Sequence, residues 1–547
     1  MPAMIAAAVS RFGDRDALAF AGEVPETYRQ LAAGIAAVSA LLQRAGIGHG
    51  ARVAILGHNM PNWAKAYFGT TFLGAVAVPL LPDFHPTEIG NILDHAEPSA
   101  LFVSASLEHR LQDLHTESLD VIVRLDDLGI IRARDPSLAF DPAARPRLPS
   151  DAVAEDDLAA IIYTSGTTGK SKGVMLTHRN ICHNALASRL IQPVDEHDRF
   201  LSILPLSHTY ENTLGLILPL ISGASVHYLK KPPTPAVLLP ALARVRPTTI
   251  LAVPLVIEKI YKNRVLPALT RNAVLRVLYR IPAVRRRLHR IAGTKLKETF
   301  GGQLRFFGVG GAKLDPVVDR FLDEARFPYA IGYGLTETSP LAAGSAPFGT
   351  KVGFVGPRLP GTQVELRDLD PRTGEGEIWV KGPNVMQGYY KEPELTAEVL
   401  TADGWLRTGD LGFFDADGNL AIRGRLKNLI VGASGENIYP EEIESVINSF
   451  RYVVESLVVQ QKGRLVAMVH LNRDELEQRY HNLRDEVGRR VDDVERRVDE
   501  VLREPKAHVN PRVNKFSQIH VVIHSPEPFI KTATQKIKRF LYQERGK

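Results

Sequence analysis

Leu158-Ala-Ala-Ile-Ile-Tyr163 runs straight into Thr164-Ser-Gly-Thr-Thr-Gly-Lys-Ser-Lys-Gly173, and Val174-Met-Leu176 follows. The first run is short, apolar and rich in β-branched residues, which predicts a buried strand. The run 173–176 predicts a second strand, and Thr177 suits the N-cap of the helix after it. Between them, the segment 163–173 combines three glycines, five Ser/Thr hydroxyls and two lysines. Glycine lets the backbone turn and bring N–H groups close to an anion. Hydroxyls donate further hydrogen bonds, and lysines add charge. That chemistry suits a polyphosphate. The spacing is not that of a Walker loop, which needs four residues between its glycines, whereas only two separate Gly166 from Gly169.

Outward from this loop, helix and strand patterns alternate. Residues 30–45 and 61–73 read as helices, and 52–57, 75–80 and 100–103 read as buried strands. Alternation of this kind predicts α/β layers with parallel sheets. The stretch 133–157 is rich in Pro, Asp, Ala and Arg and reads as a surface connector. Strand patterns resume at 225–228, 249–253 and 304–309. From 356 to 379 short strands separated by Pro, Gly and Asp predict a β-rich subdomain. A compact α+β pattern begins after Gly424-Arg425, and 474–503 is densely charged with helical spacing.

Composition sets wide bounds. A chain of 547 residues holds about three or four structural units, or fewer large ones. Apolar content of 44% and charged content of 23% are ordinary for a globular protein. A net charge of +6 is mild over this length and requires no nucleic acid. The one cysteine, Cys182, excludes an internal disulfide and a cysteine metal cluster. It lies in a helical pattern and is not expected to be a nucleophile. The apolar run Met4-Ile-Ala-Ala-Ala-Val9 has no basic region before it, so it is not read as a signal peptide. No run reaches the roughly 18 apolar residues of a membrane span. The expectation is a soluble, cytoplasmic chain, with membrane association left open.

Segment 163–173 resembles the signature of the adenylate-forming superfamily, which includes acyl-CoA synthetases, firefly-type luciferases and the adenylation domains of peptide synthetases. Further motifs of that family follow in order over nearly the whole chain. The resemblance implies a large N-terminal domain, 1–424, of two layered α/β subdomains plus a β-rich subdomain. It also implies a small mobile α+β C-terminal domain, 425–547. ATP, Mg²⁺ and CoA are the implied cofactors.

The resemblance implies roles residue by residue. Thr164, Ser165, Gly166, Thr167, Thr168, Gly169 and Lys172 would hold the phosphates. Leu204-Pro-Leu-Ser-His-Thr-Tyr-Glu211 resembles the acid pocket, with His208 near the substrate carboxylate; a packed loop histidine is the plainer alternative. Gly310-Gly-Ala312 and Ile331-Gly-Tyr-Gly-Leu-Thr-Glu-Thr338 resemble the adenine pocket. There Gly311, Ala312, Gly332 and Gly334 would admit the purine and Tyr333 would stack on it. Thr336 would bind the α-phosphate. Glu337, with Thr164, would hold Mg²⁺, since a hard cation takes oxygen ligands. Gly404-Trp-Leu-Arg-Thr-Gly-Asp410 resembles the ribose motif, with Asp410 accepting from both hydroxyls. Gly424-Arg-Leu-Lys-Asn428 resembles the interdomain hinge, with Arg425 at ribose or phosphate and Lys427 near the pivot. Gly432, Gly435 and Glu436 belong to a loop that would serve the CoA step. Lys536 would stabilise charge on the α-phosphate, although Gln535 stands where many members have glycine.

The implied activity is ATP-dependent acid–CoA ligation through an acyl-adenylate. Glu211, Val253-Pro-Leu-Val-Ile-Glu-Lys-Ile-Tyr261 and the C-terminal motif point to a medium- to long-chain fatty acid. The alternatives are an aryl or medium-chain acid, and transfer to a separate acyl carrier protein. One stretch falls outside the motifs. In 259–297, Arg271, Arg276, Arg280, Arg285, Arg286, Arg287 and Arg290 alternate with Leu, Val and Ile. A solvated helix face is the favoured reading, and a basic amphipathic helix in peripheral contact with a membrane is the alternative. A homodimer is left open.

Overall fold

The computed structural model describes residues 1–146, 153–165, 171–432, 436–448, 450, 452–461, 463–472, 506–507, 509–532 and 537–543, without the side chains of Asp113 and Ser165. Gly166, Thr167, Thr168, Gly169, Gly435, Gln535, Lys536 and the charged stretch 474–503 lie outside the described residues.

The hairpin at the centre of the sequence forms as its pattern predicts. Strand Leu158–Ser165 pairs with strand Ser171–Thr177, placing Thr164 opposite Lys172. Thr177 then caps helix His178–Ile191 in a reciprocal box with Asn180. Such a box contributes about 1 kcal/mol. The two strands are antiparallel, because a loop this short cannot carry the crossover that a parallel pair needs.

Two eight-stranded sheets dominate the first 390 residues. Each has a parallel centre and antiparallel edges. In one, Arg52–Leu56 pairs in parallel with Val76–Leu80 and Ala100–Val103. Its edge is closed by the hairpin and by the two-residue strand Gly388–Tyr389, antiparallel to Ser171–Thr177. In the other, strands from Arg199–Ser202 to Tyr329–Gly334 are parallel, and Leu341–Gly344 returns antiparallel. The parallel strands are continuous apolar runs because helices cover both faces. A four-stranded antiparallel sheet follows, formed by Gln363–Arg367, Gly376–Lys381, Leu406–Phe414 and Leu420–Arg425. This is the β-rich subdomain expected from 356–379.

The C-terminal part has its own core. Ile438, Ile443, Ile447, Val458, Ala467 and Ile519 pack together around a three-stranded sheet. A smaller cluster forms around Leu457 and Phe529. All buried members of both clusters come from beyond residue 430. Polar contacts join it to the preceding part. Lys313 pairs with Glu442 at 3.0 Å, and Arg423 reaches the same carboxylate at 3.3 Å. Lys262 Nζ donates to the Val453 carbonyl at 2.7 Å.

Two helical turns are wound as π-helix, Tyr210–Ile217 and Tyr261–Val265. Each runs into a proline, Pro219 and Pro267. Proline has no N–H for the usual i→i−4 bond, and the wider turn absorbs the defect. The basic stretch is likewise not one helix. It is divided into Pro254–Ile260, Tyr261–Val265, Leu266–Leu269, Ala273–Leu278 and Pro282–Thr299, with breaks at its prolines and at Thr270 to Asn272. No helix among the described residues is long and apolar enough to cross a membrane.

Candidate active site

Strand Tyr329–Gly334 leads into the turn Thr336–Thr338, which carries Glu337. A Cβ at Gly334 would overlap the Pro340 carbonyl, so only glycine fits there. Two buried amides hold the turn from outside. Asn184 Nδ2 donates to the carbonyls of Thr338 at 3.0 Å and Leu341 at 2.8 Å. Asn384 Nδ2 donates to the same pair at 3.2 and 3.1 Å. Neither asparagine belongs to a motif read from the sequence. Each lies far along the chain from the turn it clamps.

The Glu337 carboxylate accepts from Tyr389 Oη at 2.9 Å. Lys172 Nζ lies 4.9 Å from the centre of the same tyrosine ring. Tyr389 thus joins the hairpin lysine to the turn glutamate, with its own strand paired to Val174 and Met175. Sequence reading missed it; the only local signal was Gly388 before two tyrosines. Burial holds Lys172 below the usual lysine range, the nearby Lys427 adds to this, and Glu337 opposes it. Burial, then the Glu337 charge, pushes the Tyr389 hydroxyl upward. Tyr163 anchors the hairpin from below, its hydroxyl 2.7 Å from His95 Nδ1.

A second group forms where strands Leu406–Phe414 and Leu420–Arg425 pair. Asp410 stands opposite Arg425 in register. Asp410 Oδ1 meets Arg425 Nε at 2.9 Å, and Oδ2 accepts from Tyr333 Oη at 2.8 Å. Asp410 is 4% exposed, so this pair is largely removed from water. The Asp410 carboxylate, and to a lesser degree Tyr333 and Glu337, raises the Arg425 guanidinium above its ordinary value.

The remaining expected residues are placed around these groups. Thr336 is buried beside Glu337. Gly332 and Tyr333 lie on the strand that leads to it. Gly311 and Ala312 follow strand Phe306–Val309, with Gly311 at φ +84°, a left-handed conformation that favours glycine. Lys427 sits in the turn Leu426–Asn428. Gly432 N–H donates to the Glu436 carbonyl at 2.8 Å, so their bond lies within their own small hairpin. His208 lies just before the π-helix Tyr210–Ile217. Its Nδ1 accepts the Tyr210 N–H at 3.3 Å, at the start of the π-helix. Tyr210 in turn lies over Gly308 and Gly310, where any Cβ would meet its ring or hydroxyl. Glu211, beside it, is fully buried. Burial pushes its carboxyl up to about 8, partly offset by a hydrogen bond with Ser202.

A narrow apolar cavity opens beside Gly332. Phe200, Leu214, Leu218, Leu251, Phe306 and Ile331 line it, with Tyr210 on one wall.

Cations and hydroxyls gather over one carboxylate, next to a second, buried carboxylate, an arrangement in an α/β fold whose chemistry suits a nucleotide. The chain belongs to the family of AMP-binding enzymes, whose pattern matches residues 5–390. Among its relatives is the peroxisomal long chain acyl-CoA synthetase 6 of Arabidopsis thaliana, 32% identical over 489 residues, covering 82% of this chain and 69% of that protein. A long-chain-fatty-acid–CoA ligase of Yersinia pestis is 31% identical over 83% of this chain and 81% of its own length. Solved structures agree. ATP-bound MatB from Rhodopseudomonas palustris superposes with a TM-score of 0.75 at 26% identity, covering 99% of this chain and 98% of its own. O-succinylbenzoate coenzyme A synthetase from Bacillus subtilis, in complex with ATP and magnesium ion, gives 0.75 at 25% identity, covering 98% of each chain.

Proposed function

We infer that this chain is an ATP-dependent acid–CoA ligase that activates a medium- to long-chain fatty acid. The observation that carries the reading is the placement of the apolar cavity. Gly332 is among its lining residues and precedes Tyr333 on the strand that leads to Glu337, so an acyl chain lying in it would bring its carboxylate toward the nucleotide groups.

The residues present fit the substrates. Thr164, Lys172, Thr336 and Arg425 are hydroxyl and cationic donors suited to phosphate oxygens. The residues 166–169 complete that loop in the reading. Asp410 is a carboxylate acceptor suited to the ribose hydroxyls. Glu337, with Thr164, supplies oxygen ligands for Mg²⁺, which neutralises phosphate charge when bound.

In the first half-reaction the acid carboxylate attacks the α-phosphorus of ATP, forming acyl-AMP and releasing pyrophosphate. Lys172 and Lys536 supply positive charge where negative charge develops, and such preorganised charge is often the largest catalytic contribution. Tyr389 holds Glu337 in place by its hydrogen bond. In the second half-reaction the CoA thiolate attacks the acyl carbonyl, the thioester bond forms and AMP leaves.

The division at 424/425 belongs to the same proposal. Two separate cores joined by polar contacts suit a C-terminal domain that turns about Arg425 to Asn428, as in enzymes that gate successive steps by domain motion. That turn would exchange Lys536 for the loop of Gly432, Gly435 and Glu436. A peripheral membrane contact through 259–297 suits the same substrate, because fatty acids partition into bilayers.

AMP release dependent on both ATP and CoA, measured across acids of graded chain length, tests the reading. Ala330 lines the cavity. Ala330→Leu should move the preferred acid toward shorter chains, with kcat/KM for the longest acids falling about tenfold or more. An unchanged chain-length profile would remove the acid from this cavity.

A further inference from the structure

The stretch 259–297 contains twelve Lys and Arg and no Asp or Glu, whereas the whole chain has a net charge of +6. The rest of the molecule is therefore net acidic, and positive charge is concentrated in this one helical region.

Some of these cations are used internally. Arg285 grips Glu324 through two bonds of 2.7 and 3.0 Å. Lys262 Nζ donates to the carbonyls of Asn448 and Val453 at 3.2 and 2.7 Å. Others point outward. Arg271, Arg276, Arg280, Arg286, Arg287 and Arg290 are exposed and form no ion pair with any described residue.

Aliphatic side chains are exposed in the same region. Helix Ala273–Leu278 buries none of its residues. Val274 is 67% exposed, Val277 62%, Leu278 36% and Ile281 47%. Val274, Val277 and Leu278 share one side of the short helix by their i, i+3, i+4 spacing, and Ile281 follows in the connection to the next helix. Such a stripe ordinarily faces a core, and here it faces outward. Ile291, on the next helix, is 51% exposed. Beyond the stripe, Arg290, Thr294, Lys297 and Arg326 border an open groove of about 460 Å³, floored by Gly293 and Phe327.

We propose that the face formed by Ala273–Leu278 and Pro282–Thr299 docks on an anionic phospholipid surface. Val274, Val277, Leu278 and Ile281 enter the boundary between headgroups and acyl chains. Arg276, Arg280, Arg286 and Arg287 meet the phosphates, and the groove at Arg290, Lys297 and Arg326 receives one headgroup. Charge complementarity selects an anionic partner, and the exposed aliphatic stripe selects a bilayer over an acidic protein. Interfacial binding of this kind leaves the chain reversible and salt-sensitive.

The test uses the full-length chain without ATP or CoA, so its outcome is independent of the ligase reading. Sedimentation with vesicles of phosphatidylcholine and phosphatidylglycerol should show binding that pure phosphatidylcholine does not. Raising NaCl from about 0.05 to about 0.5 M should release most of the protein. Each arginine removed should lower the partition coefficient about fivefold, so Arg276→Gln, Arg280→Gln and Arg287→Gln together should lower it about 100-fold. Val274→Asn with Val277→Asn should lower it about tenfold. Both variants should keep the wild-type circular dichroism spectrum and melting temperature, which controls for folding. Equal binding to pure phosphatidylcholine, or none to the anionic vesicles, overturns the proposal. So does salt-sensitive binding untouched by the valine changes, which would show that the aliphatic side chains do not enter the bilayer.

Discussion

The nucleotide floor and the contact with the C-terminal part are both built from ion pairs, yet they differ in physical character. On the floor, Asp410 is 4% exposed and bonded to both Tyr333 and Arg425. At the contact, Lys313 and Glu442 are each about a third exposed, and the neighbouring pairs are similarly open. Buried charges must keep their partners, because leaving one alone costs several kcal/mol. Half-exposed pairs exchange readily with water and contribute little. One set makes a fixed platform, and the other makes a face that can let go.

If this contrast is right, substitutions on the two sides should fail differently. The largest effect should come from Lys536→Ala. Acid-dependent pyrophosphate exchange should fall by about 10²–10³, while thioester formation from supplied acyl-AMP persists. Equal loss of both halves would break the division of labour. Asp410→Asn should instead weaken both halves, with ATP affinity down about tenfold or more, as expected for a lost charged hydrogen bond.

Glu211 sharpens the contrast from beneath the platform. Its folded-state carboxyl is raised to about 8 from 4.5. Below about pH 4.5 folded and unfolded chains both hold the proton. Between 4.5 and 8 only the folded chain keeps it, so this group lowers stability as pH rises, and the effect levels off above 8. Glu211→Gln should remove that slope and stabilise the chain at pH 8 by a few kcal/mol, on the order of magnitude set by the shift. Chemical denaturation across this range checks it, and an identical slope in the variant would exclude Glu211 as the source. The smallest effect should come from Glu442→Gln. Global stability should change by less than about 1 kcal/mol, while tryptic cleavage near Lys427 speeds up about two- to fivefold.

Much of the site was legible because its parts are local. The hairpin 158–177, the turn at Glu337 and the pair Asp410–Arg425 each lie within short segments whose residue types announce their chemistry. Tyr389, Asn184 and Asn384 were not legible. Each acts on residues distant in sequence, and a lone tyrosine or asparagine carries no spacing pattern. The basic stretch was half legible. Its charge could be counted, but that Arg285 turns inward to Glu324 while Val274 and Val277 turn outward depends on how five short helices are set.

The sequence by itself therefore determined the strand–loop–strand frame, the gathering of glycine, hydroxyl and lysine in 163–173 and the order of the motifs, because hydrophobic period, glycine and charge act over a few residues. The tertiary structure decided the bridge of Tyr389 between Lys172 and Glu337, the clamping of the Glu337 turn by Asn184 and Asn384, and the outward exposure of Val274 and Val277. Those depend on which surfaces meet, and burial and pairing across the fold are properties of the packed chain rather than of any segment in it.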